Sequence, residues 1–428
     1  MSVKGKRLLV LGGTASSVDV VKQAKLLGAV TVATDYYKTG PAKEIADESV
    51  DVSTVDFEGL KQLIKDRKID GVFCGPGEFN IRNMIRLCEE SGLRCYTDRE
   101  TWEKCANKDV FKQYCREYGL DCAPEYNVSE ESTDEELQSI PYPVIVKPVD
   151  NNSSTGITTC WNWTEVREAC RFARANSSRG KIIVEKFIRN KGEIMAVKYL
   201  LKDGKAHLYL TQDTYVVDPD SSLICGFTFM PSHNLDRFLE TTDHKIRAMF
   251  AGMGMKNGVA FVQILPCDGK FYAMEMAFRL SGGLIFKIAG PLCHVNDLQM
   301  MIRYALGEEI CSDEEIRHID YRCSGKVGSK LQVPLRAGVV NKIEGLEEIL
   351  KIPCVKDLVQ YYHEGDEVQK KAVGTLSQHF GRFTLLADDK EEVFDAVRSI
   401  QATLRVTDPE GGLMNDHAFD LDRVKANV

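Results

Sequence analysis

The sequence predicts an α/β protein of several domains, and three observations carry that prediction. Strands alternate with helices over the first hundred residues. A pair of apolar strands near the middle carries an isolated carboxylate. Short strands mixed with two helices fill the last hundred residues. The length of 428 residues suggests about three domains. We place them at 1–106, a Rossmann-like domain; at 107–322; and at 323–428, a small α+β cap.

In the first domain, Lys6–Leu11 reads as a strand that runs into Gly12-Gly13-Thr14 and a helix to Leu27. Ala29–Thr34 is a second strand ending at Asp35, Phe57–Arg67 is a helix and Asp70–Cys74 a third strand. That alternation implies a parallel sheet covered on both faces. A glycine turn after the first strand and an acid after the second suggest dinucleotide binding, but the G-x-G-x-x-G spacing is missing. The loop Cys74–Asn80 leaves the carboxyl end of a strand, where open α/β sheets bind ligands. Glu78 and Asn80 are therefore either substrate contacts or parts of a capped helix start.

Asn107–Tyr118 is predicted helical, with Phe111, Tyr114 and Cys115 on one face. Ser132–Glu136 reads as a capped helix start. Strands dominate from Tyr142 to Leu210, with one helix near Thr164–Ala175. One helix is expected over 231–254, and then Gly258–Leu265 pairs with Phe271–Met276. After a patternless junction at Asp320–Lys326, short strands are expected at Leu331–Leu335, Val359–His363 and Phe383–Ala387. Helices are expected at Gly345–Leu350 and Lys390–Arg405.

Composition narrows the function. A net charge of −8 gives no basic field for nucleic acid. No apolar run approaches the ~18 residues of a membrane span. The start, Met1–Arg7, lacks the apolar core of a secretory signal. Fourteen cysteines without CxxC pairs fit reduced thiols in a cytoplasmic protein, with Cys160, Cys225 and Cys267 as small apolar fillers.

Three segments carry chemistry. In Asp268–Gly283, DGKFYAMEMAFRLSGG, Glu275 sits in an apolar strand and Arg279 follows four residues later. A charge on a buried strand needs a partner or a metal. The pair suits either phosphoryl transfer or a structural salt bridge. In Val144–Gly156, VIVKPVDNNSSTG, a strand delivers Lys147 to a small polar loop that suits phosphate, or a plain hairpin turn. The spacing is not that of a Walker P-loop. In Lys181–Lys198, Glu185-Lys186-Phe187-Ile188 ends one strand and Glu193 opens another. Phe187 and Ile188 suit a flat base, and Glu185 and Glu193 suit amino or ribose hydrogens; an ordinary hairpin with solvated charges is the alternative.

The order of these segments resembles the ATP-grasp superfamily, in its carbamoyl-phosphate-synthetase-like and carboxylate–amine ligase branches. The matching pieces are Asn107-Lys108-Asp109, Val146-Lys147-Pro148 with Asn152–Gly156, Glu185–Ile188 with Glu193, Val262-Gln263 and Glu275–Arg279. The resemblance implies an ATP-grasp fold and a ligase that uses ATP and Mg²⁺ (or Mn²⁺) to turn a carboxylate into an acyl phosphate for attack by an amine. Lys108 and Lys147 would bind phosphates, and Asn152, Ser153, Ser154, Thr155 and Gly156 would close over them. Glu185, Lys186, Phe187 and Ile188 would line the adenine site, and Glu193 would hold the ribose. Glu275 and Gln263 would ligate the metal, and Arg279 would steady the reacting species. Lys287 and His294 are weaker substrate candidates, each with a structural alternative. A homodimer through the first domain is a further implication.

Two departures stand out. Gln263 occupies a position where the superfamily often has Glu, and an amide ligates Mg²⁺ without charge. Ala277 replaces the usual Asn, which removes one metal oxygen. Gln263 leaves room for a carboxyphosphate or carbamoyl-phosphate chemistry. Ala277 leaves room for a protein that binds ATP without turnover.

Overall fold

The computed structural model describes residues 3–149, 156–190, 192–217, 225–283, 285–416 and 418–425. The first four strands are β1 (Arg7–Leu11), β2 (Val30–Thr34), β3 (Glu48–Val50) and β4 (Gly71–Cys74). They form a parallel sheet in the order β3-β2-β1-β4. Leu8–Leu11 are buried on both faces, as a sheet covered by helices requires. The cover comes from α1 (Ala15–Leu26), α2 (Pro41–Ile45), α3 (Phe57–Asp66), α4 (Glu78–Ser91) and α5 (Arg99–Ala106). Both α2 and β3 escape the sequence pattern because five- and three-residue elements carry no periodicity. Asp35 accepts a 2.7 Å hydrogen bond from the Gly13 amide, so the acid after β2 orders the glycine turn.

Helix α6 (Lys108–Glu117) starts at Asn107, whose side chain caps the Asp109 and Val110 amides. Then come α7 (Asp134–Gln138), β5 (Val144–Pro148), β6 (Thr158–Cys160), α8 (Val166–Ala175) and β7 (Ile182–Lys186). The capping box of Thr133 and Glu136 starts α7. The three strands form their own antiparallel sheet, β6-β5-β7, over a separate small core of Val144, Val146, Cys160, Val166 and Cys170.

The large sheet is built from β8 (Glu193–Lys202), β9 (Lys205–Val216), β10 (Cys225–Met230), β11 (Gly258–Cys267), β12 (Lys270–Ala277) and β13 (Val327–Pro334). Small ladders pair β14 (Gly338–Val339) with β17 (Glu367–Val368) and β15 (Lys342–Glu344) with β19 (Arg405–Thr407). The remaining strands, β16 (Val355–Gln360) and β18 (His379–Ala387), join the large sheet, whose order is β12-β11-β8-β9-β10-β13-β18-β16. The C-terminal strands therefore extend the central sheet and do not form a main sheet of their own.

One face of this sheet is mostly apolar, with Asp213 buried on it opposite Phe229. There Tyr199 meets Phe250, and Phe229 stacks on Phe394 at 5.9 Å. The other face, called the charged face below, carries Glu275, Lys198 and Lys330. Strand register puts Glu275 opposite Gln263, Gln263 opposite Ala196 and Phe261 opposite Lys198. Where one helix is expected over 231–254, two form: α9 (Leu235–Thr241) and α10 (Asp243–Gly252). Thr242, at φ −132°, breaks them, and the Tyr199 hydroxyl donates to Asp243 at 2.6 Å to seat the second. Helices α11 (Phe286–Cys293) and α12 (Asp297–Ala305) pack on the charged face.

The thirteen described cysteine side chains are free thiols; Cys160 is buried and Cys267 half-buried. The side chain of Cys225 lies outside the described residues. No described helix is long and apolar enough to cross a membrane.

The first domain is fastened to the large sheet where β4 lies against α12. A Cβ on Gly71 would sit 2.3 Å from the Ala305 carbonyl oxygen. Gly71→Ala should therefore cost about 1–3 kcal/mol by overpacking, read as a lower melting temperature. An unchanged melt would contradict this packing.

Candidate active site

The charged face of the large sheet, the start of α6 and the edge of the small sheet meet at one place. Lys108, the first residue of α6, lies with its Nζ 3.9 Å from Glu275 Oε2. Glu275 and Gln263 stand side by side on β12 and β11, facing the same way. A pocket between them and the first domain is lined by Glu78, Lys108, Glu275 and Ala277, among others. Burial pushes the Lys108 ammonium below the usual lysine range. Glu275 works against that shift, Lys147 adds to it, and Glu185 and Glu78 also act on it. A lysine of the small sheet and a carboxylate of the large sheet thus share one electrostatic environment.

Lys147 arrives on β5, where it is buried and paired with Glu185 of β7. The other oxygen of Glu185 binds Lys112, one turn after Lys108 on α6. Lys112 also pairs with Glu125 at 2.8 Å. Burial would raise the Glu185 carboxyl, but Lys147 and Lys112 hold it below the usual range. Burial would lower Lys112, but Glu185 and Glu125 raise it. Both oxygens of Glu185 are engaged by lysines, so the expected contact with amino or ribose hydrogens would share them with Lys147 and Lys112.

Arg279 approaches from the first domain's side. Its Nη2 donates to Glu78 at 3.3 Å, its Nη1 to the Leu280 carbonyl at 3.0 Å, and its guanidinium lies 5.6 Å from the Phe261 ring centre. Its buried Nε has no partner among the described residues. Glu78 is thus both the first residue of α4 and a member of the charged group. Asn80 sits at the end of β1, its amide 3.4 Å from the Leu11 carbonyl.

The other expected residues fall as follows. Lys186 is exposed, Phe187 lies 6.2 Å from the Trp161 ring and Ile188 is buried. The backbone amides of Lys186 and Phe187 donate to the Pro124 and Pro143 carbonyls, at 2.8 and 3.1 Å. Gly156 has φ +80° and packs on Pro148 and Asn176, leaving no room for a Cβ. Asn152, Ser153, Ser154 and Thr155 lie outside the described residues. Glu193 stands with Asp213 and His233, their ligand atoms all within 4.8 Å of one another. Burial and the Asp213 charge push Glu193 up to about 7, and Asn234 donates to it at 2.9 Å. Lys287 is paired with Asp357 at 2.7 Å and ties α11 to β16. His294 is an exposed residue at φ +62° that ends α11, so the structure gives it a capping position.

Sequence reasoning missed Lys112, Glu125, Asp213, His233 and Lys198. Two of these had signals. Lys112 falls four residues after Lys108, on the same helix face. Lys198 interrupts an apolar strand just as Glu275 does.

Known proteins share sequence and fold with this chain. Residues 120–213 match the family described as D-ala D-ala ligase C-terminus. A formate-dependent phosphoribosylglycinamide formyltransferase of Sulfurisphaera tokodaii is 27% identical over 206 residues, 47% of this chain and 51% of that protein. The chain thus spans about half the length of the first curated relatives it matches. Against the enzyme of the same name in Bacillus velezensis the match covers 82% of this chain and 88% of that protein, at 25% identity. Among solved structures, the L-amino acid ligase from Bacillus licheniformis superposes with a TM-score of 0.78 at 19% identity, covering 95% of this chain and 99% of that one. A phosphoribosylglycinamide synthetase from Anaerococcus prevotii gives 0.69 at 19%, covering 95% and 100%. The chain has the ATP-grasp fold.

Glu185 tests the geometry. Its lowered carboxyl contributes stability that is present above its unfolded value of about 4.3 and is lost as pH falls through its folded value. Glu185→Gln should flatten that acid limb of the stability profile. At neutral pH it should cost about 3–5 kcal/mol, because buried Lys147 loses its carboxylate and Lys112 keeps only Glu125. Chemical denaturation at pH 7 and pH 3.5 reads both effects; equal losses at the two pH values would contradict the pairing.

Proposed function

We propose that the chain is an ATP- and Mg²⁺-dependent ligase that activates a carboxylate as an acyl phosphate and joins it to an amine. The observation that carries this reading is the placement of Lys108 3.9 Å from Glu275, beside the Lys112–Glu185–Lys147 ion-pair chain. A carboxylate is a poor electrophile, and its activation brings it against a second anion, the triphosphate. Such a step needs cations aimed at the transferring group, in a place closed to water.

The residues fit those tasks. Lys108 and Lys147 bind phosphate oxygens, and Lys112 acts through Glu185 to hold Lys147 in place. Arg279, with its unpartnered Nε, holds the substrate carboxylate and later the oxyanion of the tetrahedral species. The paired side chains of Glu275 and Gln263 fit a hard cation, and Mg²⁺ held there would offset charge on the phosphoryl group. The small sheet with α7 and α8, at about 122–190, serves as a lid that keeps water from the acyl phosphate. Phe187 and Ile188 suit the adenine face and Glu193 the ribose.

Oxygen-18 transfer tests the chemistry. With ATP, Mg²⁺ and a panel of ¹⁸O-labelled carboxylates and amines, one pair should release ADP and move ¹⁸O into phosphate. Glu275→Gln should lower that rate by about 10²-fold or more while nucleotide still binds. ADP release with bicarbonate alone would favour a carboxyphosphate reaction, which Gln263 also suits. Nucleotide binding with no ADP from any mixture would overturn the ligase reading in favour of binding without turnover.

Ala277 gives a second handle. It lines the same pocket as Glu275 and Lys108. Ala277→Asn supplies a further metal oxygen, so the Mg²⁺ concentration at half-maximal rate should fall several-fold; a rise would contradict the metal assignment.

We extend the proposal to a cytoplasmic setting, which the free thiols support. A homodimer through the first domain is supported by the exposed Leu26, Tyr36, Tyr37 and Phe79. Sedimentation velocity distinguishes monomer from dimer.

A further inference from the structure

Buried cations in this protein divide into two groups. Lys43, Lys112 and Lys147 each pair with a carboxylate. Lys198, Lys330 and Arg382 are as deeply buried, at 3%, 6% and 6% exposure, and among the described residues none of them has a carboxylate within 4 Å. Those three lie together. Strand register through β8, β9, β10, β13 and β18 puts all of them on the charged face of the large sheet. Lys330 and Arg382 are diagonal neighbours, since Lys330 lies opposite Thr384 and Gln332 opposite Arg382.

One acid stands near them. Asp297, at the start of α12, is 1% exposed and accepts from the Tyr209 hydroxyl at 3.0 Å, while its Oδ1 has no partner among the described residues. Three cations therefore face one carboxylate. Each side chain bears the cost of leaving water, and a single distant acid does not offset three such costs. Burial first, then Arg382 and Lys198, push the Lys330 ammonium well below the usual range. Burial pushes Lys198 down to about 8, with Asp297 opposing the shift and Arg279 adding to it. The buried Nε of Arg382 also has no partner among the described residues.

The loop after Arg279 closes over the same spot. Lys330 Nζ donates to the Gly283 carbonyl at 2.5 Å. A Cβ on Gly283 would stand 3.0 Å from that Nζ and 3.9 Å from Arg382 Nη1. Glycine leaves this approach to the cations open, four residues after Arg279. Resting on the ligase reading, we propose that Lys198, Lys330 and Arg382 seat a second anionic group of the substrate, a carboxylate or phosphate monoester remote from the bond being formed. The substrate class is then a small molecule with two anionic ends: one at Arg279 and Glu275, where chemistry occurs, and one at the three cations.

Calorimetry on the full chain tests this, with inorganic phosphate and succinate as probes and acetate and chloride as controls at matched ionic strength. Wild type should bind phosphate or succinate saturably and melt at a higher temperature with it. Lys330→Met and Arg382→Met should each weaken that binding about tenfold or more, and Lys330→Arg should retain it. Both Met variants should still fold, because each removes an unpaired buried charge; their melts without added anion, at or above that of wild type, confirm it. Preference for phosphate points to a phosphate monoester, and preference for succinate to a dicarboxylate; each supports the seat. Absence of saturable binding of both probes, or unchanged binding in both Met variants, overturns it. Magnesium with a non-hydrolysable ATP analogue, titrated in parallel, separates the two claims. If the analogue fails to bind wild type, the ligase reading falls while the anion result stands on its own.

Discussion

The site depends on one buried carboxylate held between two lysines. Glu185 sits on the small sheet, Lys147 beside it on the same sheet, and Lys112 on a helix of the body. A lone lysine at Lys147 would be costly to bury, and a lone glutamate at Glu185 equally so. Together they tolerate burial, and Lys112 ties the arrangement to the helix that also carries Lys108. The small sheet is thereby registered against the body beside Lys108, the first residue of that helix.

From that tie the rest of the geometry follows. Lys108 starts α6 because Asn107 caps it, and that start faces Glu275 across the pocket. Antiparallel pairing sets Gln263 beside Glu275. Arg279 is steered by Glu78 from the first domain, which makes the parallel sheet part of the site and not merely a neighbour of it. The continuous large sheet then carries the face of Glu275 on toward Lys330 and Arg382.

Much of this was legible in the sequence. A carboxylate in an apolar strand marked Glu275, a lysine at a strand end marked Lys147, and the alternation of strands and helices marked the parallel sheet. What was not legible depended on pairing between distant segments. The joining of β13, β18 and β16 to the central sheet leaves no local pattern, since strand order is not written in strand composition. The pairing of Glu185 with two lysines was not legible, because its partners lie 38 and 73 residues away. The helix break at Thr242 depends on Tyr199, a residue of another element. Lys198 is legible by the same rule as Glu275, a charge inside an apolar run.

The central claim is that Lys108, Lys147 and Glu275 surround one triphosphate. A crystal structure of the full chain with magnesium and a non-hydrolysable ATP analogue measures this directly. The account predicts phosphate oxygens within hydrogen-bond distance of both lysines and the metal on Glu275. Phosphates bound elsewhere, with Glu275 still facing Lys108 alone, would contradict it.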